Sequence, residues 1–462
     1  MNTILLSGGR VIDPASRVDG IFDLLAIDGR ISSIAPPGRL QPPEGAALVD
    51  ARRCWVVPGL VDPHVHLRDP GFPRKETIPT GLRAAAAGGF TAVAAMANTN
   101  PVNDSPETTA YMLERARETR SARLVPVSAV TRGLAGRDLV DCREMARAGA
   151  RLFSDDGIPI DDEAILSRAL REIDSLGFAI SLHEEDRSLS CNGAVNAGFA
   201  SERLGVKGYP NSAEAARVRR DLAIALATGA HVHLAHVSTR ETIEMVREAR
   251  ARGARVTCEA APHHFALDEL AALRWGPNAK MNPPLRAHGD TEAIRAALAD
   301  GTIDMIATDH APHDPESKHL DQLAGFFPGI LAEGSSMEND AARLPADAAE
   351  LFADAANGVV GLETSLGLAL DLVHRSLIGA PRLVEMMSLN PARLLRLDAG
   401  TLAAGTPADI TVIDPNLCWT VEPARFRSRS RNTPFAGMRL QGKAILTIVA
   451  GEIVFDGRDG DD

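Results

Sequence analysis

The sequence predicts an α/β protein: a parallel eight-stranded barrel with helices outside, flanked by a small β-sandwich built from both termini. Three observations predict it. Between about residues 56 and 395, short apolar runs rich in β-branched residues alternate with amphipathic helical stretches, the pattern of parallel strands joined by crossover helices. Both ends carry short alternating runs cut by Gly-Gly, Asp-Gly and Pro-Pro, with no helical period. Metal-competent residues recur just past several of the predicted strands, where a barrel gathers sequence-distant side chains at one mouth.

In chain order, residues 1–55 give strands at Thr3–Leu6, Leu24–Ile27 and Ile31–Ile34. Residues 396–462 give Asp409–Ile413, Ala444–Val449 and Ile453–Phe455. Neither end has enough strands to stand alone, since an isolated hairpin is marginal, so both are expected in one sandwich. The domain at 56–395 gives strands Val56–Asp62, Thr91–Met96, Leu124–Val127, Arg151–Ser154, Ala179–Leu182, His231–Ala235, Arg255–Cys258 and Ile303–Ala307. Helices are expected at Glu107–Arg120, Asp162–Leu176, Ser212–Thr228, Thr239–Arg252 and Asp290–Asp300, with Ser212 and Asp290 as caps. A doubly wound open sheet would not bring all the strand ends together. The segment Ser317–Asn357 is long for a connection and carries the apolar patch Phe326-Phe327-Pro328; such loops are commonly lids, partner contacts or disordered.

Composition narrows the class. Hydrophobic residues at 45% and charged residues at 24% are globular values. A formal net charge of −12 argues against nucleic-acid binding and, more weakly, against an anionic membrane. The five cysteines are scattered without a Cys-x-x-Cys, so neither a disulfide framework nor a thiolate metal site is suggested. With no signal-like start and no membrane-spanning apolar run, the protein is expected to be soluble and cytoplasmic.

The chemistry starts at Pro63-His64-Val65-His66. On a strand His64 and His66 share one face. Later strands end in Ser154-Asp155-Asp156-Gly157, in His183, in His236 and in Asp309-His310-Ala311-Pro312-His313. Four histidines and two aspartates suit zinc or a similar divalent ion, with room for two sharing a bridge. Such a pair can hold a hydroxide at neutral pH and polarise a carbonyl, and Asp309 could move the proton to a leaving nitrogen. That chemistry makes or hydrolyses a C–N bond. His231, His233, His263 and His264 are read as packing or support behind the ligands, and His310 as facing away. Only one of Asp155 and Asp156 can face the mouth, and chemistry alone does not choose. Arg68 offers a fork for a carboxylate; Asn98 and Asn282 offer amide recognition.

Taken together, Pro58–Gly71, Ala97-Asn98-Thr99-Asn100-Pro101, Ser154–Gly157, Asp309–His313, Gly361-Leu362-Glu363-Thr364 and Ser430–Phe435 resemble class I dihydroorotases of the amidohydrolase superfamily. The resemblance implies a distorted (β/α)8 TIM-type barrel with a β-sandwich from both termini. It also implies zinc-dependent, reversible cyclisation of N-carbamoyl-L-aspartate to L-dihydroorotate in pyrimidine synthesis. Carried onto matching positions, it gives His64, His66 and Asp309 to one zinc and His183 and His236 to a second, with Asp156 as the bridge. His66, Arg68, Asn98, Asn282 and His313 would bind substrate, with Asp309 as acid/base. Superfamily members that bridge metals with a carboxylated lysine are disfavoured, because no lysine lies between Lys75 and Lys207. The sequence departs from the family in its long excursion after His313, where Asn357-Gly358 stands in place of an aromatic-Gly pair that contacts substrate through backbone. A homodimer and an association with aspartate transcarbamoylase are the partners this family suggests. Allantoinase and a non-catalytic scaffold are the competing readings.

Overall fold

The computed structural model describes residues 3–327 and 343–458. In chain order the strands are β1 (Thr3–Asp13), β2 (Val18–Ile27), β3 (Arg30–Ala35), β4 (Ala47–Asp50), β5 (Trp55–Pro58), β6 (Leu60–Val65), β7 (Phe90–Ala95), β8 (Arg123–Ser128), β9 (Leu152–Phe153) and β10 (Ile180–Leu182). After a two-residue pair, β11 (Val195–Asn196) and β12 (Gly208–Tyr209), come β13 (Val232–Leu234), β14 (Val256–Ala260), β15 (Met305–Ile306), β16 (Ile410–Thr420), β17 (Arg439–Val449) and β18 (Glu452–Asp456).

Strands β6 to β10 and β13 to β15 form one eight-stranded parallel sheet in chain order. It closes past the end of β15. His310 bridges Val65 in parallel, and the His66 amide donates to the His310 carbonyl at 2.8 Å. Buried Asp62 completes the seam by accepting from the amide of Thr308 at 3.1 Å and from its hydroxyl at 2.5 Å. Apolar residues on both faces make these strands read as continuous hydrophobic runs, as expected of a parallel sheet covered by helices.

The expected first barrel strand is in fact two strands. Trp55–Pro58 pairs antiparallel with β16 in the terminal sheet, and the barrel begins at Leu60. The break falls at Gly59, where a Cβ would lie 2.2 Å from the Thr91 hydroxyl. The strands of both termini do join one unit. They form one continuous eight-stranded sheet, ordered β18-β17-β16-β5-β1-β2-β3 with β4 on β1. Strand β1 takes β2 along one edge and β4 then β5 along the other. That carries the ladder around a core of its own, including Leu6, Leu24, Val56, Ile410 and Leu446.

Two expected helix caps have other duties. The helix Asn211–Thr228 starts after Pro210 without a side-chain cap, and Asp290 sits inside the first turn of His288–Asp300. Asp290 instead accepts from the Arg240 amide at 3.0 Å, bracing the neighbouring helix. The excursion is not structureless either. Leu320–Leu323 and Ala346–Asp354 are helical, and Leu323, Phe327, Leu344 and Phe352 pack on Leu204 and Leu273 in a separate apolar cluster. Fully buried Lys318 pins its start by donating to the carbonyls of Pro277 at 2.8 Å and Lys280 at 3.0 Å. Pro328 of the apolar patch lies outside the described residues. Among the described residues, no helix is long and apolar enough to cross a membrane.

Candidate active site

At the barrel mouth the side chains gather around Asp156. Strand β9 ends at Phe153, and the two aspartates that follow part ways. Asp155 accepts from the amides of Val130 at 2.7 Å and Thr131 at 3.1 Å, and so turns to the loop after β8. Asp156 turns to the centre. Its Oδ1 lies 3.6 Å from His64 Nε2, 3.6 Å from His236 Nε2 and 3.8 Å from His183 Nδ1. Its Oδ2 lies 3.5 Å from His66 Nε2. Asp309, at a left-handed φ of 45°, brings Oδ1 to 3.4 Å from His66 Nε2 and 3.7 Å from His64 Nε2.

These separations are too long for hydrogen bonds. They match two ligands of one ion, since donors about 2.1 Å from a tetrahedral centre stand about 3.4 Å apart. His64, His66 and Asp156 form one group with ligand atoms all within 4.8 Å, and Asp156, His183 and His236 form a second. Buried His64 Nε2 and Asp156 Oδ1 have no hydrogen-bond partner, which a buried polar atom ordinarily requires. The field agrees. Burial opposes charge on His64, yet Asp156 and Glu259 hold its imidazolium well above the ordinary range. Burial likewise opposes ionisation of Asp309, but His66 and His64 keep its carboxyl well below it. A compact set of carboxylates with inward nitrogens is a cage for a cation, and the residues present fit a divalent metal.

The outward ring nitrogens fix which lone pairs face inward. His64 Nδ1 donates to Glu259 Oε1 at 2.7 Å, and Glu259 Oε2 takes a second bond from His233 Nε2 at 3.0 Å. Burial works against the Glu259 charge, but the bonds from His233 and His64 outweigh it and hold the group at about 2. His66 Nδ1 donates to Asn98 Oδ1 at 2.9 Å, and Asn98 Nδ2 reaches Asp156 at 3.4 Å. His183 Nε2 donates to Glu185 Oε2 at 3.2 Å, which also accepts from Asn282 Nδ2 at 3.0 Å. Glu259 and Glu185 escaped the sequence reading. The available signal was a carboxylate inside the apolar strand Val256–Ala260 and another directly after His183-Glu184, since a buried acid needs partners.

His233 thus stands behind His64, through Glu259. His264 donates to the Pro283 carbonyl at 3.0 Å, beside Asn282. His310 faces Glu76 at 3.4 Å, away from the mouth.

Arg68 does not continue the strand. It follows β6 on a left-handed turn with φ of 59° and points its guanidinium at the segment past β15. Its Nε donates to the Pro312 carbonyl at 3.3 Å and its Nη2 to His313 Nε2 at 3.2 Å. Because arginine only donates, the His313 ring is neutral there; burial and the Arg68 charge push its imidazolium far below the ordinary range. Burial brings Arg68 down to about 10, so it remains a cation at neutral pH. Asn282 Oδ1 is buried with no hydrogen-bond partner among the described residues. The cavity here measures about 280 Å³. Every residue nominated from the sequence lines it, Asn357 and Gly358 included, except His64, which is sealed behind.

Known proteins resemble this chain along its length. A family model described as Dihydro-orotase-like matches residues 54–242. The dihydroorotase of Syntrophotalea carbinolica is 46% identical, covering 98% of this chain and 99% of its own. That of Anaeromyxobacter dehalogenans (strain 2CP-1) is 45% identical, covering 98% of each. Among solved structures, the L-hydantoinase (dihydropyrimidinase) of Arthrobacter aurescens has a TM-score of 0.83 over 98% of this chain and 96% of that one. Its 24% identity speaks to the fold alone.

Proposed function

The chain belongs to the dihydroorotase family of cyclic amidohydrolases, and from that premise we propose how its cavity interconverts N-carbamoyl-L-aspartate and L-dihydroorotate in pyrimidine biosynthesis. The observation that carries the reading is the pairing of Arg68 with His313 beside the two histidine groups. One half of the cavity is built for hydrolysis and the other for a carboxylate, and both dihydroorotate and its ring-opened product carry one.

The imidazole and carboxylate donors favour zinc. His64, His66 and Asp309 would hold one ion, His183 and His236 a second, and Asp156 would span both. When bound, the ions would supply Lewis acidity, activating water and polarising the amide carbonyl. Asp309 is the acid/base. Its carboxylate takes a proton from the attacking water and delivers it to the ring nitrogen as the C–N bond breaks, leaving a ureido group and a carboxylic acid, which releases its proton to solvent. Cyclisation runs the same transfer backwards. Arg68 and His313 grip the substrate carboxylate, while Asn98, Asn282 and the backbone of Asn357-Gly358 orient the ring. Glu259 and Glu185 take the outer ring N–H of His64 and His183, so the inner nitrogen of each neutral ring is the one turned to an ion.

Purified protein is assayed with L-dihydroorotate, N-carbamoyl-L-aspartate and allantoin in parallel, with its metal content measured. Turnover of the first two and about two zinc ions per chain are expected. Turnover of allantoin alone reverses the assignment, and a metal-free, inactive protein supports a scaffold for aspartate transcarbamoylase. The same family premise supports a homodimer and contact with that enzyme, both read by light scattering of the chain alone and of the mixture.

A further inference from the structure

One buried amide outside the barrel holds together both backbone segments at the substrate end of the cavity. Asn432 lies in the stretch between β16 and β17 and is 2% exposed. Its Oδ1 accepts from the His313 amide at 2.9 Å. Its Nδ2 donates to the carbonyls of Ala311 at 3.1 Å and Gly358 at 3.0 Å. Its own carbonyl accepts from the Val360 amide at 2.9 Å. An amide offers two donors and an acceptor on one rigid plane, and here all are used on two segments more than forty residues apart in sequence.

Those segments bear His313, which partners Arg68, and Asn357-Gly358. They meet closely: a Cβ on Gly358 would stand 2.5 Å from that of Ala311, and Gly358 has a φ of 134°. The chain around Asn432 is itself fastened to the loop after Arg68. Ser430 donates its hydroxyl to the Lys75 carbonyl at 2.6 Å, and the Arg429 amide donates to Glu76 at 3.1 Å. We propose that Asn432, supplied by the terminal sheet, is a positioning residue for the substrate's carboxylate end, setting the distance between His313 and the Gly358 backbone. This deepens the dihydroorotase reading and rests on it. Asn432 touches neither the reacting atoms nor the metal donors, so it governs binding geometry rather than the chemical step.

The test compares Asn432→Ala, Asn432→Asp and Ser430→Ala. Alanine removes all three side-chain bonds. Aspartate keeps the acceptor for the His313 amide but turns an oxygen toward two carbonyls. Ser430→Ala loosens the same stretch without touching His313 or Gly358. Asn432→Ala is expected to raise KM for L-dihydroorotate about tenfold or more, with kcat changed less than about threefold and bound metal unchanged. Asn432→Asp is expected to raise KM similarly, while Ser430→Ala keeps the parent KM. Hydrogen exchange at the His313 amide should accelerate in Asn432→Ala and stay slow in Asn432→Asp. An unchanged KM in Asn432→Ala, or an equal rise in Ser430→Ala, overturns the proposal. If the parent protein does not turn over dihydroorotate, the functional reading falls by itself. The His313 exchange rate then decides the positioning role, and unaltered protection in Asn432→Ala ends it.

Discussion

At Asp309 a carboxylate stands 3.4 Å from His66 and 3.7 Å from His64, held ionised by both. Asp309→Ala should leave the fold intact and lower kcat by about a thousandfold or more in both directions. A rate within tenfold of the parent would remove Asp309 from proton transfer. Arg68→Lys keeps the charge but loses the planar fork that reaches Pro312 and His313 together. KM for dihydroorotate should rise about tenfold with zinc content constant, and an unchanged KM would reject the carboxylate clamp. The histidines proposed as ligands were legible because each follows an apolar run at a strand's carboxyl end. Glu259 and Glu185, which orient His64 and His183, were not. Glu259 and His64 are 195 positions apart, and no local pattern announces a bond made only when the barrel closes.

The excursion between β15 and the helix Ser365–His374 shows what element-level reading misses. Its length suggested a lid, a partner contact or disorder, but length says nothing of what it packs on. Phe352 is fully buried against Phe327, with ring centroids 5.6 Å apart, and lies five residues before Asn357. Phe352→Ala should therefore cost about 3 kcal/mol of local stability and raise KM, because the backbone at Asn357-Gly358 loses its anchor. Proteolytic nicking of the excursion at an unchanged rate, with KM unaltered, would separate the cluster from the site. The eight barrel strands, by contrast, were all legible, because buried parallel strands leave dense runs of Val, Ile, Ala and Leu. The division at Gly59 was not, since a continuous apolar run can serve two sheets. Neither expected cap serves as one: Ser212 falls inside a helix that already starts at Asn211 after Pro210, and Asp290 accepts from the Arg240 amide at 3.0 Å instead.

Across the whole molecule, the residues proposed as metal ligands come from the ends of β6, β9, β10, β13 and β15. An ion bound there ties together strands that the chain joins only through long crossovers. Chelation should lower Tm by several degrees, and zinc at a hundred times its Kd should restore about 2.7 kcal/mol. A Tm indifferent to chelator and zinc would mean that the folded protein does not hold the ion at these groups. The barrel and the approximate location of its mouth could be read from the sequence. The contribution of the terminal sheet could not, because Asn432 meets the backbone of His313 and Gly358 from a connection between β16 and β17 whose destination depends on the complete fold.

Only Gly59 separates β5 from β6, and its Cα packs against the Thr91 side chain without room for a methyl group. At this crossing the terminal sheet and the barrel have no slack tether, which opposes rigid-body swinging of one against the other. Gating has to come from the short stretches at the rim. Crosslinks between sheet and barrel should accordingly leave turnover untouched, whereas crosslinks across the rim should stop it.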